Sequence, residues 1–455
     1  MIIKVSARTL ISSVVACLLV SSAAHAEDLF TVYQHAKETD PQVLASEAGY
    51  LAALEKRPQA LANLGSSVTL TGSVTVKDTQ SWSAGEGDNS LLTSGSYQLG
   101  LGKPLYNQSL QEQLSQTDSI IAQAEQTLIS EQQNLILRVA EAYFTFLNAR
   151  DSAELARAEA NAIERQNKQV EAYFEAGRSA VTDLKESQSR YDQSLADIVV
   201  ADQNVEIALE SLRSLTNRYY KVLRGATNTT PLVVPAPTQI DAWSQTATTN
   251  NKDVIISKLA VRVAQKAVDI ARAAKKPTVS MFARHNGGYS EGESTSDSQS
   301  FDASIGLEFS MNLYDSGKID SQVREARFSL RQAMQNLEAT KRSASQQTRS
   351  YYLNIVTGLT QIKALQRSLS SSEVSRKATE EGFRAGTRTA VDVLLAYSDT
   401  YQAQSSFSTA RNTFLLNTIR LKHSAGTLSE TDLQTLSRIL NRSQSTRQAP
   451  VQLTK

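Results

Sequence analysis

The stretch "FDASIGLEFSMNL", residues 301 to 313, alternates without a break. Phe301, Ala303, Ile305, Leu307, Phe309, Met311 and Leu313 oppose Asp302, Ser304, Gly306, Glu308, Ser310 and Asn312. Successive side chains of a strand point to opposite faces, so this segment carries one apolar and one polar face. Ser66 to Lys77 repeats the pattern, with Val68, Leu70, Val74 and Val76 against Thr69, Thr71, Ser73 and Thr75. Weaker alternation around Tyr97, Leu99 and Leu101, and around Val279 and Met281, completes two strand pairs, expected at 66–77 with 94–106 and at 277–286 with 300–314. The intervening residues 78–93 and 287–299 are rich in Gly, Ser and acids and read as loops. Two architectures fit this periodicity: an ordinary half-buried sheet, or the wall of a membrane barrel with an aqueous lumen. About ten residues per strand, and Tyr106 and Tyr314 at strand ends as membrane-interface aromatics, suit the barrel. Four strands cannot close a barrel and open edges are not tolerated in lipid, so a barrel would need several chains.

Working outward from the strands, the chain becomes helical. All eight prolines lie outside two windows, Leu105 to Thr230 and Thr278 to Ala449, and Gly177 is the only glycine between Lys103 and Arg224. Interior Pro and Gly are the costliest residues in a helix, so these windows admit very long ones. A helix from Asn107 to Ala176 would reach roughly 105 Å at 1.5 Å per residue, far more than a globular domain needs. After Gly177-Arg178-Ser179, a second helix from Thr182 to about Tyr220 should run back along it. Apolar positions such as Ile120, Ala124, Leu128, Leu135, Val139 and Ala142 are sparse and small. They suit narrow coiled-coil seams, in a solvated rod or in the wall of a water-filled tube.

The same order returns. Phe174, Gly177 and Asp183 match Phe383, Gly386 and Asp392 at one offset of 209; Asp40 to Val68 matches Asn251 to Val279 at 211; Leu105-Tyr106-Asn107 matches Leu313-Tyr314-Asp315 at 208. A duplicated unit accounts for all three. The repeats are expected over 27–224, with a hairpin tip at 177–183, and over 250–426, with a tip at 386–392. A linker at 225–249 separates them and a C-terminal segment at 427–455 follows.

Residues 1–26 carry Lys4 and Arg8, an apolar run from Leu10 to Val20, and the ending Ala24-His25-Ala26, the layout of a cleaved secretory signal. A lipoprotein reading through Cys17 competes with it, although apolar residues continue past that cysteine. Cleavage would remove Cys17, the only cysteine, and leave 45 of the 47 basic residues against 46 acidic ones. That balance offers no electrostatic case for nucleic acid, and His35, His285 and His423 lack metal-ligand spacing, so no metal or cofactor is expected. No later stretch approaches the roughly 20 apolar residues of a spanning helix. An enzyme is disfavoured because no nucleophile elbow, phosphate loop or HExxH helix is present.

Taken together, the signal peptide, the "DP" at Asp40-Pro41, the strand exits "PLYN" (104–107) and "NLYDSGK" (312–318), and the paired turns "FEAGRSAVTDL" and "FRAGTRTAVDVL" resemble the TolC family of outer-membrane efflux proteins. The resemblance covers Leu29 to Gly426. It implies a mostly α protein with membrane β-strands: a tandem-repeat subunit of a homotrimer whose twelve-stranded outer-membrane β-barrel continues as a periplasmic α-helical barrel. A mixed equatorial region would collect residues 218–249 and the C-terminal segment. The implied partners are outer-membrane lipid, a periplasmic adaptor (membrane fusion protein), and an inner-membrane pump or ABC exporter. The channel would be passive, serving a tripartite efflux pump or type I secretion.

By the same resemblance, the helical tips form the periplasmic entrance. Asp392 is then the constriction acid, Arg388 the link-forming base, Phe383 the aromatic position before the turn, and Thr182 and Asp183 the first-repeat partners. Gly177, Arg178, Gly386, Thr387 and Thr389 shape the turns that an adaptor would touch. On ordinary helix chemistry, Gly177 and Gly386 end one helix, Thr182 and Thr389 cap the next, and an acid in its first turn favours the dipole. Family members with a two-tier acidic mouth carry a second acid where this chain has Leu395, which implies one acidic ring followed by an apolar constriction. Phe383 also lacks the hydroxyl of the family's tyrosine. The rival class is a pore-less periplasmic coiled-coil adaptor or structural rod, which would show one hairpin rather than two equivalent ones.

Overall fold

The computed structural model describes residues 27–83, 86–220, 223–225, 230–292 and 295–444. The leader expected over 1–26 lies outside them, as do residues 445–455 of the tail.

Two long helical hairpins dominate. Helix α4 (Gln108–Glu175, 68 residues) pairs with α5 (Val181–Thr216), and α8 (Lys318–Arg384, 67 residues) pairs with α9 (Ala390–Ser424). Asn107 starts α4 by accepting from the Leu110 amide, and Asp315 takes the Gly317 and Ile319 amides at the start of α8. Such side-chain oxygens satisfy amides that have no partner inside the helix. Helix α5 stops short of its expected end at Tyr220. Asn217 turns left-handed at φ 52°, and Tyr220 folds into the core with its hydroxyl 3.2 Å from His35 Nδ1.

Each repeat opens with short helices: α1 (Leu29–Thr39), α2 (Pro41–Leu54) and α3 (Lys56–Ala62) in the first, α6 (Ile240–Asn250) and α7 (Lys252–Ala273) in the second. Asp40 caps α2 through the Gln42 and Val43 amides, and Asn251 caps α7 through those of Asp253 and Val254. Asp40 is almost wholly buried, and its charge is held by both terminal nitrogens of Arg138 at 3.1 Å. The region read as a linker over 225–249 therefore contains most of a helix. Its threonines hid that signal: Thr246 and Thr249 bond back to carbonyls of their own turn, while Trp243 packs into the core and Ala247 against Val254 and Ala344.

The four strands form one antiparallel sheet in sequence order: β1 (Ser67–Ser83), β2 (Glu86–Tyr106), β3 (Thr278–Gly292) and β4 (Thr295–Ser310). Register pairs Val68 with Leu101, Leu101 with Ala283, and Ala283 with Ile305, so the apolar sets of all four strands share one face. Two strand expectations change. The segments read as loops at 78–93 and 287–299 continue the ladders almost to the turns; their many Gly, Ser and acidic residues leave no regular period-two contrast in the sequence. Met311 to Tyr314, expected to finish the last strand, leave the sheet after Ser310.

The apolar core lies at the waist. Leu29, Tyr33, Tyr143, Phe144, Leu147, Leu212, Tyr220, Trp243, Tyr352, Phe414 and Leu421 pack with Leu433 and Leu440 of helix α10 (Glu430–Gln444). Helix α10 is fastened by Lys37 and Tyr33 to Glu430 and by Lys422 to Asp432. Away from the waist the hairpins bury little, in keeping with their narrow seams.

Candidate functional site: the channel wall and the hairpin tips

Among the described residues no helix packs against the sheet, which excludes the reading of an ordinary half-buried sheet. Its apolar face is bare in the single chain, with Leu70 72% and Ile305 80% exposed. The opposite face carries Thr69, Thr71, Ser73, Gln98, Asn286, Asp302 and Ser304, with Asn286 Nδ2 donating to Asp302 at 2.9 Å. Strands β1 and β4 each keep one unpaired edge. A bare apolar face of this kind is stable against lipid, and open edges in lipid must be paired by further strands. Tyr106 ends β2 and Tyr314 follows β4, 87% exposed, at the foot of the sheet.

At the far end of the hairpins, the turns are built from the residues singled out above. Gly177 and Gly386 adopt φ of 70° and 77°, a backbone that side-chain-bearing residues avoid. The Arg178 amide bonds the Tyr173 carbonyl at 2.7 Å and the Thr387 amide bonds that of Gly382 at 2.8 Å, closing both turns in the same way. The next helices start differently. Thr389 caps α9 by accepting from the Asp392 amide while Asp392 accepts from the Thr389 amide at 2.9 Å, a complete capping box.

In the first repeat the expected cap by Thr182 does not form. Ala180 occupies the cap position without a side-chain bond, Thr182 lies inside the first turn of α5, and Asp183 accepts from the Ser179 hydroxyl at 3.1 Å. The shift follows from the sequence itself, since Ala180 stands where the second repeat has Thr389.

The Asp392 carboxyl is held below its ordinary value, chiefly by the Thr389 backbone and side-chain hydrogen bonds and further by the charge of Arg388. Leu395 follows one turn later and is 46% exposed. Arg388 makes no ion pair with Asp183 within the chain. Phe383 meets the other hairpin instead: its ring lies 5.8 Å from that of Tyr173, and it packs on Val170, Leu184 and Ala390. Tyr173 escaped the sequence reading because Gly382 stands at its position in the second repeat. The helical spacing of Val170 ahead of the turn was the available signal.

An open-edged sheet with a lipid-compatible face, continued by helices of roughly 100 Å, is one part of a channel wall shared between chains. The chain is thus a subunit of an outer-membrane channel with a large helical periplasmic part, and it catalyses no reaction. It belongs to the outer membrane efflux protein family, whose model matches residues 32–218 and 243–427, one match for each repeat. It is similar to the outer membrane protein TolC of Vibrio cholerae, with 32% identity over 421 residues covering 91% of this chain and 94% of that one. The alkaline protease secretion protein AprF of Pseudomonas aeruginosa is 28% identical over 344 residues, 74% of this chain and 70% of its own. Among solved structures, the channel CusC superposes with a TM-score of 0.73 at 18% identity, covering 88% of this chain and 92% of that one. In this fold the barrel forms on trimerisation.

Proposed function

We propose that three copies of this chain form the exit duct of a tripartite efflux pump or a type I secretion system, and that the hairpin tips are its periplasmic entrance. The observation that carries the reading is the pair of open edges at β1 and β4 beside a bare outer face on which Val68, Leu70, Leu99, Leu101, Ile305 and Leu307 align. Three copies of the sheet close twelve strands, a barrel wide enough for an aqueous lumen. The partners are a periplasmic adaptor that touches the tips and the grooves between helices, and an inner-membrane pump or ABC exporter that supplies the cargo. Efflux in the family description and protease secretion in the name of AprF support both services.

At the entrance, three copies of Asp392 concentrate negative potential within low-dielectric walls and favour cations. Leu395 makes the next ring apolar. Arg388 reaches an acid or hydroxyl of a neighbouring subunit's first tip, at Asp183 or Thr182. Exposed pairs of this kind contribute only about 0 to 1 kcal/mol each, so adaptor contact suffices to release them together. The experiment is fractionation followed by electrophoresis: a detergent-resistant, heat-modifiable trimer in the outer-membrane fraction is expected. A monomer in the soluble periplasm would support the pore-less adaptor class instead.

A further inference from the structure

We propose that the sheets of neighbouring subunits join in one fixed register, with Phe309 of β4 lying over Gly72 of the partner subunit, and that this ring-on-glycine pair aligns the strands of separate chains. The register rests on reading three copies as sharing one barrel.

The duplicated plan supplies the alignment. Moving β1 residues forward by 211 positions and β2 residues by 208, the offsets of the two repeats, turns the pair Leu70–Leu99 of the first hairpin into Met281–Leu307, which is the observed pairing of the second. The hairpins are therefore copies in pairing as well as in sequence. The seam between β2 and β3 joins one copy to the next inside the chain, and the seam between β4 and the next β1 does so across chains. By the same offsets, Leu101–Ala283 becomes Phe309 with Gly72 of the partner subunit, and Leu99–His285 becomes Leu307 with Val74 of the partner subunit.

Faces, side chains and strand ends agree with that register. Gly72 and Val74 share the apolar side of β1, and Leu307 and Phe309 that of β4, whereas a slip by one residue would turn one apolar set into the lumen. Within the chain, rings already cover glycines across strands: Tyr97 over Gly287, Tyr289 over Gly95 and, on the other face, Phe282 over Gly306. A Cβ at any of the three would strike the ring. Glycine leaves a hole in a strand surface, and an aromatic neighbour fills it.

Gly72 is the gap in the apolar row from Val68 to Val76. A Cβ there would come no closer than 3.8 Å to any atom of the chain, and Phe309 is 67% exposed, so hole and ring both await a neighbour. Slips by two residues keep the faces but set Phe309 opposite Leu70 or Val74 and give Gly72 only Leu307 or Met311. At the strand ends, Lys103 and Pro104 run past β1 and are held by Met281 and Ser280. Their counterparts Met311 and Asn312 lack such a neighbour within the chain, and β4 stops at Ser310. In the proposed register they meet Leu70 and Thr69 of the partner subunit, and β4 lengthens on assembly.

The test uses the full chain, whose only cysteine, Cys17, lies in the expected leader. Oxidised F309C/G72C should give covalent dimers and trimers that survive boiling without reductant, at several-fold higher yield than F309C/L70C or F309C/V74C, because opposed residues bring their sulfurs together and diagonal ones do not. Where G72C hinders assembly, I305C/V76C against I305C/V74C reads the same register. A higher yield from a slipped pair overturns the proposal, as does a detergent-resistant trimer in which no pair cross-links. A soluble monomer sinks the shared barrel itself. Gly72→Ala should lower the temperature at which the trimer dissociates, and lower it much less in a Phe309→Ala background; equal shifts in both would overturn the ring-on-glycine pair.

Discussion

The two hairpin tips start from matching sequence and end differently. Both turn on a left-handed glycine, both close with the same backbone hydrogen bond, and both place an aspartate in the third position of the next helix. The second tip adds a complete capping box through Thr389, while the first has Ala180 at that position and leaves Asp183 to the Ser179 hydroxyl. The first tip instead carries Tyr173, whose ring is the surface on which Phe383 rests. Duplication preserved what the backbone needs to reverse and let the side chains specialise. One tip holds its charge rigidly, and the other provides an apolar seat.

The largest expected effect that separates the tips is on cation block. Asp392→Ala should weaken block by multivalent cations strongly in planar-bilayer recordings, and Asp183→Ala much less; equal losses would erase the proposed specialisation. Next comes the latch, where Arg388→Ser should raise single-channel conductance while Arg178→Ser, whose guanidinium is engaged by Tyr173, changes it little. A conductance unaltered by Arg388→Ser would count against its linking role.

Acid sharpens the contrast further. Because the folded state lowers the Asp392 carboxyl, its capping contribution is complete above the unfolded value of 3.8 and is lost only as pH falls through the lower folded value. Cation block should therefore persist below the usual aspartate range, and Thr389→Ala should bring its midpoint back up. A midpoint that ignores Thr389 would disprove the capping explanation. The smallest effect is on local stability: Thr389→Ala should cost about 1 kcal/mol at the start of α9, read as faster amide exchange there. Thr182→Ala, inside its helix, should leave the start of α5 unchanged.

Much of this was legible beforehand. The Pro-free windows together with Gly177 marked the first long helix almost to the residue, expected from Asn107 to Ala176 and found from Gln108 to Glu175. The outer sheet face was legible in Val68, Leu70, Ile305 and Leu307, where apolar and polar residues alternate. The strand ends at 78–83 and 287–292 were not, since their Gly, Ser and acidic residues show no regular alternation to read. Helix α6 was hidden by its threonines. At the tips, Gly386, Thr389 and Asp392 announced a turn and a cap, but the meeting of Tyr173 with Phe383 joins residues 210 positions apart and has no local signature.

The amino-acid order alone determined the duplicated plan, the length of the two longest helices, the faces of the strands and the position of both helical reversals. These follow from backbone conformational cost and from periodicity, both of which act between near neighbours. Tertiary structure alone decided which side chains of the two hairpins touch and where the waist core collects. Those outcomes depend on how distant segments fill shared space while excluding water, a constraint that no short stretch contains.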